Sequence, residues 1–569
     1  MSKKKIIYIL LTLLFILSIV GFVVYFNKNE KKVLKYLEKK FGNNEETLSK
    51  KINADVNYNK SRRQHLYVKK DSTIYFSIDD NIPGKIYDDD YKRELIVEDY
   101  DEYLFCSTTN EKFLSILTKN KFYKTSDIYH ANFIYKYLYD KDLDTFLSKI
   151  NFRQKYCRFP NTSYLFNKKN LYSNFLKMKK KYSEDYNYMV ESYILPDQIA
   201  DFEKAYNKSK DNNERNLWIV KPQNLSRGRD IKVVSDINDI IENVEVIEEI
   251  VSEVKNDEKN NINNNKKSNN KKNKNNKKNS KDKSGKDINE PQKNIIKKIK
   301  KVSKNGDVIV SRYIESSTIN DKKYDIRIMC LITSYDPLMI YLYDDGIIRF
   351  ATEKYSEDVK SLNNNYIHLT NVSINEKNPN YIRNSDFNNL KESSSSLSSF
   401  KKYCEEKKID YNTIITKIKD YIIKAILSNY DSSVKELQKY KLPSCKNIFE
   451  LFGVDIILDK DFNPYLIEFN LKPGLAMSTE VSKKIYNNVI CDLLNVIGIR
   501  KYNRKSMKKN NRICSLEENL KECKKELERY SGHFELIFPL KNNIDKYSKF
   551  IENKTQLNTE LMAYLKSKQ

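Results

Sequence analysis

Two alternating apolar runs within Phe452–Asn470 flank the polar stretch Asp459-Lys460-Asp461-Phe462-Asn463, the pattern of a β-hairpin. With the turn at Lys460–Asn463, residue 459 pairs with 464. The register carried outward then sets Asp455 opposite Glu468, with Asn470 on the same face. Two carboxylates facing each other across strands repel unless something positive lies between them. Oxygens from Asp, Glu and Asn suit a hard cation. Magnesium, which takes octahedral oxygen ligands and often completes its shell with nucleotide phosphates, is the natural occupant. On these residues alone, a solvent-facing polar hairpin with slipped register stays open as the alternative.

Upstream, Trp218–Val234 reads as a strand, a loop and a second strand, with Lys221 ending the first strand and Ser226, Arg227 and Gly228 in the loop. A lysine beside a flexible basic loop is a clamp for phosphate oxygens. The apolar strand Tyr324–Ile332 carries Asp325 and Arg327 two residues apart and therefore on one face. The pair reads either as a structural salt bridge or as an arginine aimed at a phosphoryl group in transfer. Tyr366–Asn371 adds polar donors, and His368, one of four histidines, is read as a satisfied structural residue without a catalytic role.

These segments need a scaffold that brings distant strands together. At 569 residues, with no repeat of fixed period, the chain is expected to form a mixed α/β (α+β), multi-lobed core with tails. Residues 6–26 form an uncharged run of 21 residues, long enough at ~1.5 Å per residue to span roughly 30 Å of hydrocarbon. The run exceeds a signal-peptide core and lacks a small-residue cleavage site, so it is read as a single-pass membrane anchor. Lys28, Lys31, Lys32, Lys35, Lys39 and Lys40 follow it against Lys3, Lys4 and Lys5 before it, which favours a cytoplasmic body. Residues 256–290 collapse to Asn, Lys, Ser and Asp and are read as a disordered insertion within a domain. Lys391–Ser399 is a second soft, serine-rich segment, and residues 500–569 are read as a charged, helical, peripheral tail.

Hydrophobic residues at 39% and charged residues at 32% describe a globular protein diluted by polar inserts. A formal charge of +26 calls for an acidic partner: nucleic acid, anionic lipid or an acidic protein tail. No helix-turn-helix, zinc-finger or RNA-binding aromatic signature accompanies the charge, so nucleic acid is not expected. Eight scattered cysteines without a CxxC argue against a zinc site or a disulfide scaffold and fit reduced thiols.

In this order, Phe159-Pro160, Lys168–Leu171, Tyr193–Pro196, Trp218–Ile231, Tyr313-Ile314, Tyr324–Arg327, Arg349–Tyr355, His368–Asn371 and Glu468–Asn470 resemble the tubulin tyrosine ligase-like family over residues 103–499. The resemblance implies an ATP-grasp-like catalytic core. It puts Lys169 and Lys221 on ATP phosphates, with Ser226, Arg227, Gly228 and Asp325 also at the nucleotide. Arg327 and Asn371 would sit beside the transferred group, and Asp455, Glu468 and Asn470 would hold Mg2+. The implied reaction activates an acceptor carboxylate as an acyl phosphate, which the amine of an amino acid attacks. Arg349–Tyr355 and His368–Asn371 are most similar to the polyglutamylases, which implies glutamate as donor, the acidic tails of tubulin as acceptor, and association with the cytoskeleton; a monomer is expected. Three positions depart from the family pattern: Asp230 replaces a glycine, Ser311 a glutamine, and Lys472 a small residue.

Overall fold

A stretch rich in β-branched and aromatic residues builds the two longest strands, β11 (Lys322–Tyr335) and β12 (Leu338–Phe350). They pair antiparallel and are buried on both faces nearly throughout, which makes them the centre of a sheet. The computed structural model describes residues 73–74, 76, 86–87, 104–223, 228–242, 246–253, 296–303, 306–383, 390, 392–475, 479–500 and 512–568. The chain divides into two compact units, Met1–Lys70 with Ile86–Asp101, and Asp71–Lys85 with Glu102–Gln569. Of the first, only the two-residue strand Ile86–Tyr87 is described. The site lies wholly in the second.

After the two-residue strand Thr73–Ile74, that second unit continues with β1 (Leu104–Thr108), β2 (Phe122–Lys124), β3 (Phe133–Tyr135) and β4 (Lys155–Tyr156), forming a parallel sheet in the order β2-β1-β3-β4. Next comes an antiparallel sheet of β5 (Ser192–Leu195), β6 (Trp218–Pro222), β7 (Lys232–Val234) and β10 (Val308–Arg312), ordered β5-β10-β6-β7. Its core is its own: Leu195, Phe202, Trp218, Val220, Val234, Val308 and Val310 pack together. Between β7 and β10 runs an antiparallel ribbon, β8 (Val246–Glu253) with β9 (Ile296–Ser303), in which Glu253 stands opposite Ile296. The Asn/Lys insertion read at 256–290 lies outside the described residues, between the two ends of that ribbon.

The large sheet runs β13-β12-β11-β14-β15, where β13 is Ser394–Ser396, β14 Glu450–Leu458 and β15 Pro464–Leu471. Helices α4 (Tyr411–Leu427) and α5 (Glu480–Ile497) pack against it. On α4, Ile414, Ile418, Ile422 and Ile426 recur every four residues as the buried stripe, and Asp410 caps its start by accepting from Thr413 N at 3.0 Å.

Two expectations are corrected. The serine run is an edge strand: Ser394–Ser396 pairs with Ile347–Arg349, and Ser396 caps the next helix by accepting from Ser399 N at 3.1 Å. Small side chains fit under a crowded edge, and the hydroxyls of Ser394 and Ser396 find partners in Thr479 and Ser399. The tail is not peripheral either. After α6 (Leu516–Glu528), the segment β16 (Phe534–Phe538) joins the large sheet antiparallel to β12, with Ile340 opposite Phe538 and Tyr343 opposite Phe534. Phe534, Ile537 and Phe538 are buried, an apolar triplet outweighed in the sequence by the charged helix before it. Among the described residues no helix is long and apolar enough to cross a membrane. The run at 6–26 lies outside them.

Candidate active site

Register places a row of charges across one face of the large sheet. Asp325 on β11 stands opposite Arg349 on β12, Arg327 on β11 opposite Asp455 on β14, and Asp455 opposite Glu468 on β15. Asp325 and Asp455 therefore each meet a guanidinium on the neighbouring strand, whereas Glu468 faces Asp455. Arg349 Nε donates to Asp325 Oδ1 at 2.8 Å, and its Nη2 reaches both Asp325 and, at 3.0 Å, Asp455 Oδ2. Arg327 donates through Nη2 to Asp455 Oδ2 at 2.8 Å and through Nε to Asp455 Oδ1. Gly453 makes room for this: a Cβ there would fall 3.0 Å from Arg327 Cδ and 3.2 Å from its Nε. All four side chains are buried. Burial works to raise the Asp455 pKa, but the two guanidiniums win and hold it down at about 2. Asp325, for which burial dominates, is shifted upward despite Arg349. Asp325 and Arg327 thus share a face as expected, yet each pairs across the sheet rather than with the other.

The Asp455–Glu468 pairing is reached by a route the sequence reading did not foresee. The turn begins one residue earlier, because Asp459 Oδ1 accepts from the backbone of Asp461 at 2.9 Å and Asn463 at 2.8 Å, so Leu458 rather than Asp459 stands opposite Pro464. An extra residue, Ile467, then bulges from β15 and restores the register at Glu468. Asn470 Nδ2 donates to Asp455 Oδ2 at 3.2 Å and Glu468 Oε1 at 3.1 Å, and Lys168 Nζ lies 3.2 Å from Glu468 Oε2.

The opposing wall belongs to the smaller antiparallel sheet. Lys221 on β6, half-buried and opposite Ile309, is pushed down to about 8 by the loss of solvent around its ammonium, with Glu468 opposing and Lys168 assisting. Between the walls lies a cavity of about 140 Å³, lined among others by Lys168, Lys221, Lys323, Asp325, Asp455 and Glu468. It continues into a wider cleft of about 690 Å³ that shares Tyr172, Met189, Ser192, Tyr313 and Tyr465. Ile219, Ile309, Ile457 and Leu466 supply apolar surface to the cavity, suited to a flat ring.

Lys323, Asp325 and Arg327 alternate along β11 and share its face. Lys323 Nζ donates to the Tyr313 hydroxyl at 2.8 Å, and that hydroxyl meets His368 Nδ1 at 2.8 Å. His368 Nε2 lies 3.1 Å from Ser361 O, a carbonyl that can only accept, so the ring carries its proton on Nε2 and accepts from Tyr313. Burial, with Lys323 beside it, pushes His368 down to about 4, keeping it neutral, and the same burial brings Lys323 to about 7. His368 is a link in a buried chain, in keeping with its reading as a structural residue.

The structure redistributes the remaining candidates. Asn371 lines the cavity and packs under Gly228, where a Cβ would lie 2.8 Å from Asn371 Oδ1 and 2.4 Å from Ile374 Cδ1, and where φ is +73°. Ser226 and Arg227 lie outside the described residues. Lys169 turns aside to Asp307 at 2.7 Å and Asp197 at 3.3 Å, whereas its neighbour Lys168 lines the cavity. Both open helix α2 (Lys168–Lys181), on which adjacent residues point about 100° apart, so only one can face the site. Sequence reasoning left Lys168, Lys323 and Arg349 without roles, although period-two alternation from Asp325 was a signal for Lys323. Of the three departures, Asp230 is exposed with φ +55°, a conformation aspartate tolerates. Ser311 accepts from Ser192 Oγ at 2.9 Å on the cavity wall. Lys472 lies over the Tyr137 ring at 4.0 Å and donates to Tyr139 Oη at 3.2 Å.

Among the described residues no group of three His, Cys, Asp or Glu could hold a metal. Two carboxylates with an amide, Asp455, Glu468 and Asn470, do converge, and turning the Asn470 amide over would present its oxygen instead of its NH2, so the donor set fits a hard cation.

A sequence profile of the tubulin-tyrosine ligase family matches residues 146–508. The human tubulin polyglutamylase TTLL5 is 29% identical over 352 residues, which are 61% of this chain and 22% of that protein. The human tubulin monoglutamylase TTLL4 is 30% identical over 349 residues, 61% and 23% respectively. A probable beta-tubulin polyglutamylase of Tetrahymena thermophila is 26% identical over 417 residues, 69% and 30%. The matched part of the chain spans between about a fifth and a third of the length of these relatives.

Proposed function

Since the chain belongs to the tubulin-tyrosine ligase family, we propose that it is an ATP-dependent ligase that joins glutamate to glutamate side-chain carboxylates in the acidic tails of tubulin. The names of its relatives support the substrate, and the net charge of +26 suits an acidic tail. One observation carries the chemistry: Asp455 and Glu468, joined by Asn470, face a cavity also lined by the half-buried Lys221 and by Lys168. A cleft between two antiparallel sheets is also what an ATP-grasp-like core requires.

In this reading Lys221 and Lys168 bind phosphate oxygens, Gly228 lets the loop backbone approach them, and Asp455, Glu468 and Asn470 hold Mg2+. Bound there, the metal would neutralise phosphate charge and polarise the group in transfer. Lys168 leaves Glu468 for the phosphates, which frees that carboxylate as a ligand. Arg327 and Arg349 are fixed by Asp455 and Asp325, so they offer their positive field to the acceptor carboxylate without having to reorganise. Asn371 orients the acceptor as a hydrogen-bond donor. The acceptor is activated as an acyl phosphate and attacked by the α-amine of glutamate. The run at 6–26 adds the proposal of a membrane tether that leaves this body beside the cytoskeleton.

Labelled glutamate is incubated with tubulin, magnesium ATP and the protein, beside a Glu468→Gln control. Incorporation by the parent and none by the control supports the ligase and its metal site. Absence of incorporation by both, with tubulin still bound, refutes it.

A further inference from the structure

Helix α6 turns Asn519, Cys523 and Glu526, spaced four and three residues apart, onto one face, and each contacts the segment that leads into β14 or its neighbours. Asn519 Oδ1 accepts from Cys445 N at 3.0 Å and from Ser444 Oγ at 3.4 Å. Glu526 pairs with Lys446 at 3.1 Å and accepts from Thr333 and Tyr341. Cys514 N donates to Pro443 O at 2.8 Å. Between these fastenings, Cys445 Sγ and Cys523 Sγ lie 3.7 Å apart. All eight cysteines are free thiols, and five of them besides Cys523 are buried. Cys445 is partly exposed and Cys523 buried, so Cys445 is the member of the pair nearer to solvent.

We propose that Cys445 and Cys523 form an oxidation site at which the two thiols close to an intramolecular disulfide, tying helix α6 to the segment that enters β14. The inference does not depend on the ligase reading. The oxidant is a peroxide. The proton shared by the two sulfurs passes to Cys523, Cys445 as thiolate attacks one oxygen of hydrogen peroxide, the O–O bond breaks, and the leaving hydroxide takes up a proton to give water and a sulfenic acid. Cys523 then attacks that sulfur, the S–O bond breaks, and a second water leaves. Two S–H bonds are lost, one S–S bond forms, and two electrons pass to the peroxide. The hydrogen bond between the two sulfurs and the Lys446 ammonium hold the Cys523 thiol below its ordinary value, while the same hydrogen bond, with burial, holds Cys445 above it, so the two sulfurs share one proton once the first is lost, whereas burial pushes Cys404 up to about 12. The sulfurs must close to about 2.05 Å, which side-chain rotation supplies while Asn519 and Glu526 keep the backbone in place.

The full chain is treated with hydrogen peroxide, digested without reduction and mapped by mass spectrometry. The expected product is one linked peptide pair joining Cys445 to Cys523, two hydrogens lighter than the separate peptides and undone by dithiothreitol. The bridge closes a loop between positions 78 apart, and Tm is expected to rise by roughly 5 °C on oxidation. Two free sulfurs after treatment, or a bridge from Cys445 to Cys514, would overturn the proposal. Cys445→Ser keeps the partly exposed position polar and folded. If it shows the same rise in Tm on peroxide treatment, the stabilisation comes from elsewhere and the stapling is refuted.

Discussion

Asp455→Asn removes the single negative charge shared by two buried guanidiniums. The carboxylate is 3% exposed, accepts from Arg327 Nη2 at 2.8 Å and lies 3.0 Å from Arg349 Nη2. Its pKa, held at about 2 against an ordinary 3.8, corresponds to roughly 2 kcal/mol of preference for the ionised form. In the variant one amide oxygen still accepts, but the new NH2 faces an N–H donor, and two cations remain buried against Asp325 alone. Breaking a buried pair in this way costs about 3–5 kcal/mol. Urea denaturation followed by circular dichroism, without nucleotide or metal, should report that loss as a lower midpoint at unchanged slope. Adding Arg327→Met should return part of it, since the second substitution removes the charge the first one stranded. The pH dependence has a definite sign. The folded pKa lies below the unfolded one, so this contribution is fully present above 3.8 and is lost as pH falls toward about 2. The gap between parent and Asp455→Asn therefore narrows across that window. A loss below about 1 kcal/mol at neutral pH, the scale of an exposed pair, would mean the charge row is not formed, and the reasoning would fail.

Lys221 is held at about 8, so nucleotide affinity measured calorimetrically should fall as pH rises through that value, while Lys221→Arg, charged throughout, loses the inflection. Lys168→Met should reduce glutamate incorporation by about 10²-fold, as loss of one phosphate-binding cation does. Lys169→Met, which removes contacts only to Asp307 and Asp197, should retain most activity, and the reverse order would return the role to Lys169. Gly228→Ala places a Cβ 2.4 Å from Ile374 Cδ1 at φ +73°, and should weaken nucleotide binding by about 1 kcal/mol or more in the same titration.

The hairpin carboxylates were legible in sequence because alternation fixes faces, and a face survives a slip of the turn when a bulge corrects it. Expectation and structure agree on Asp455 opposite Glu468 although Asp459 moved the turn and Ile467 compensated. Which of Lys168 and Lys169 enters the cavity was not legible, since it depends on the rotation of α2, set by Asn167 accepting from Asn170 N and by Asp307 across the gap. Arg349 stood in a recognised segment, yet its role needs the β11–β12 register, which no local pattern prints. The buried serines and β16 were missed for a related reason: composition describes a segment, whereas burial is decided by the edge it meets.

That last strand sets an order of events during synthesis. The edge of β12 formed by Ile340–Tyr343 leaves the ribosome nearly two hundred residues before Phe534–Phe538, its partner, does. Through that interval Tyr341 and Tyr343 lack the cover they have in the finished sheet, and the edge is open to pairing with other chains. Chaperone engagement during translation should thus concentrate on this stretch. A nonsense codon even late in the message would leave a body that holds every residue of the proposed site and still presents a sticky border, to be cleared as a folding failure rather than as a defect of catalysis.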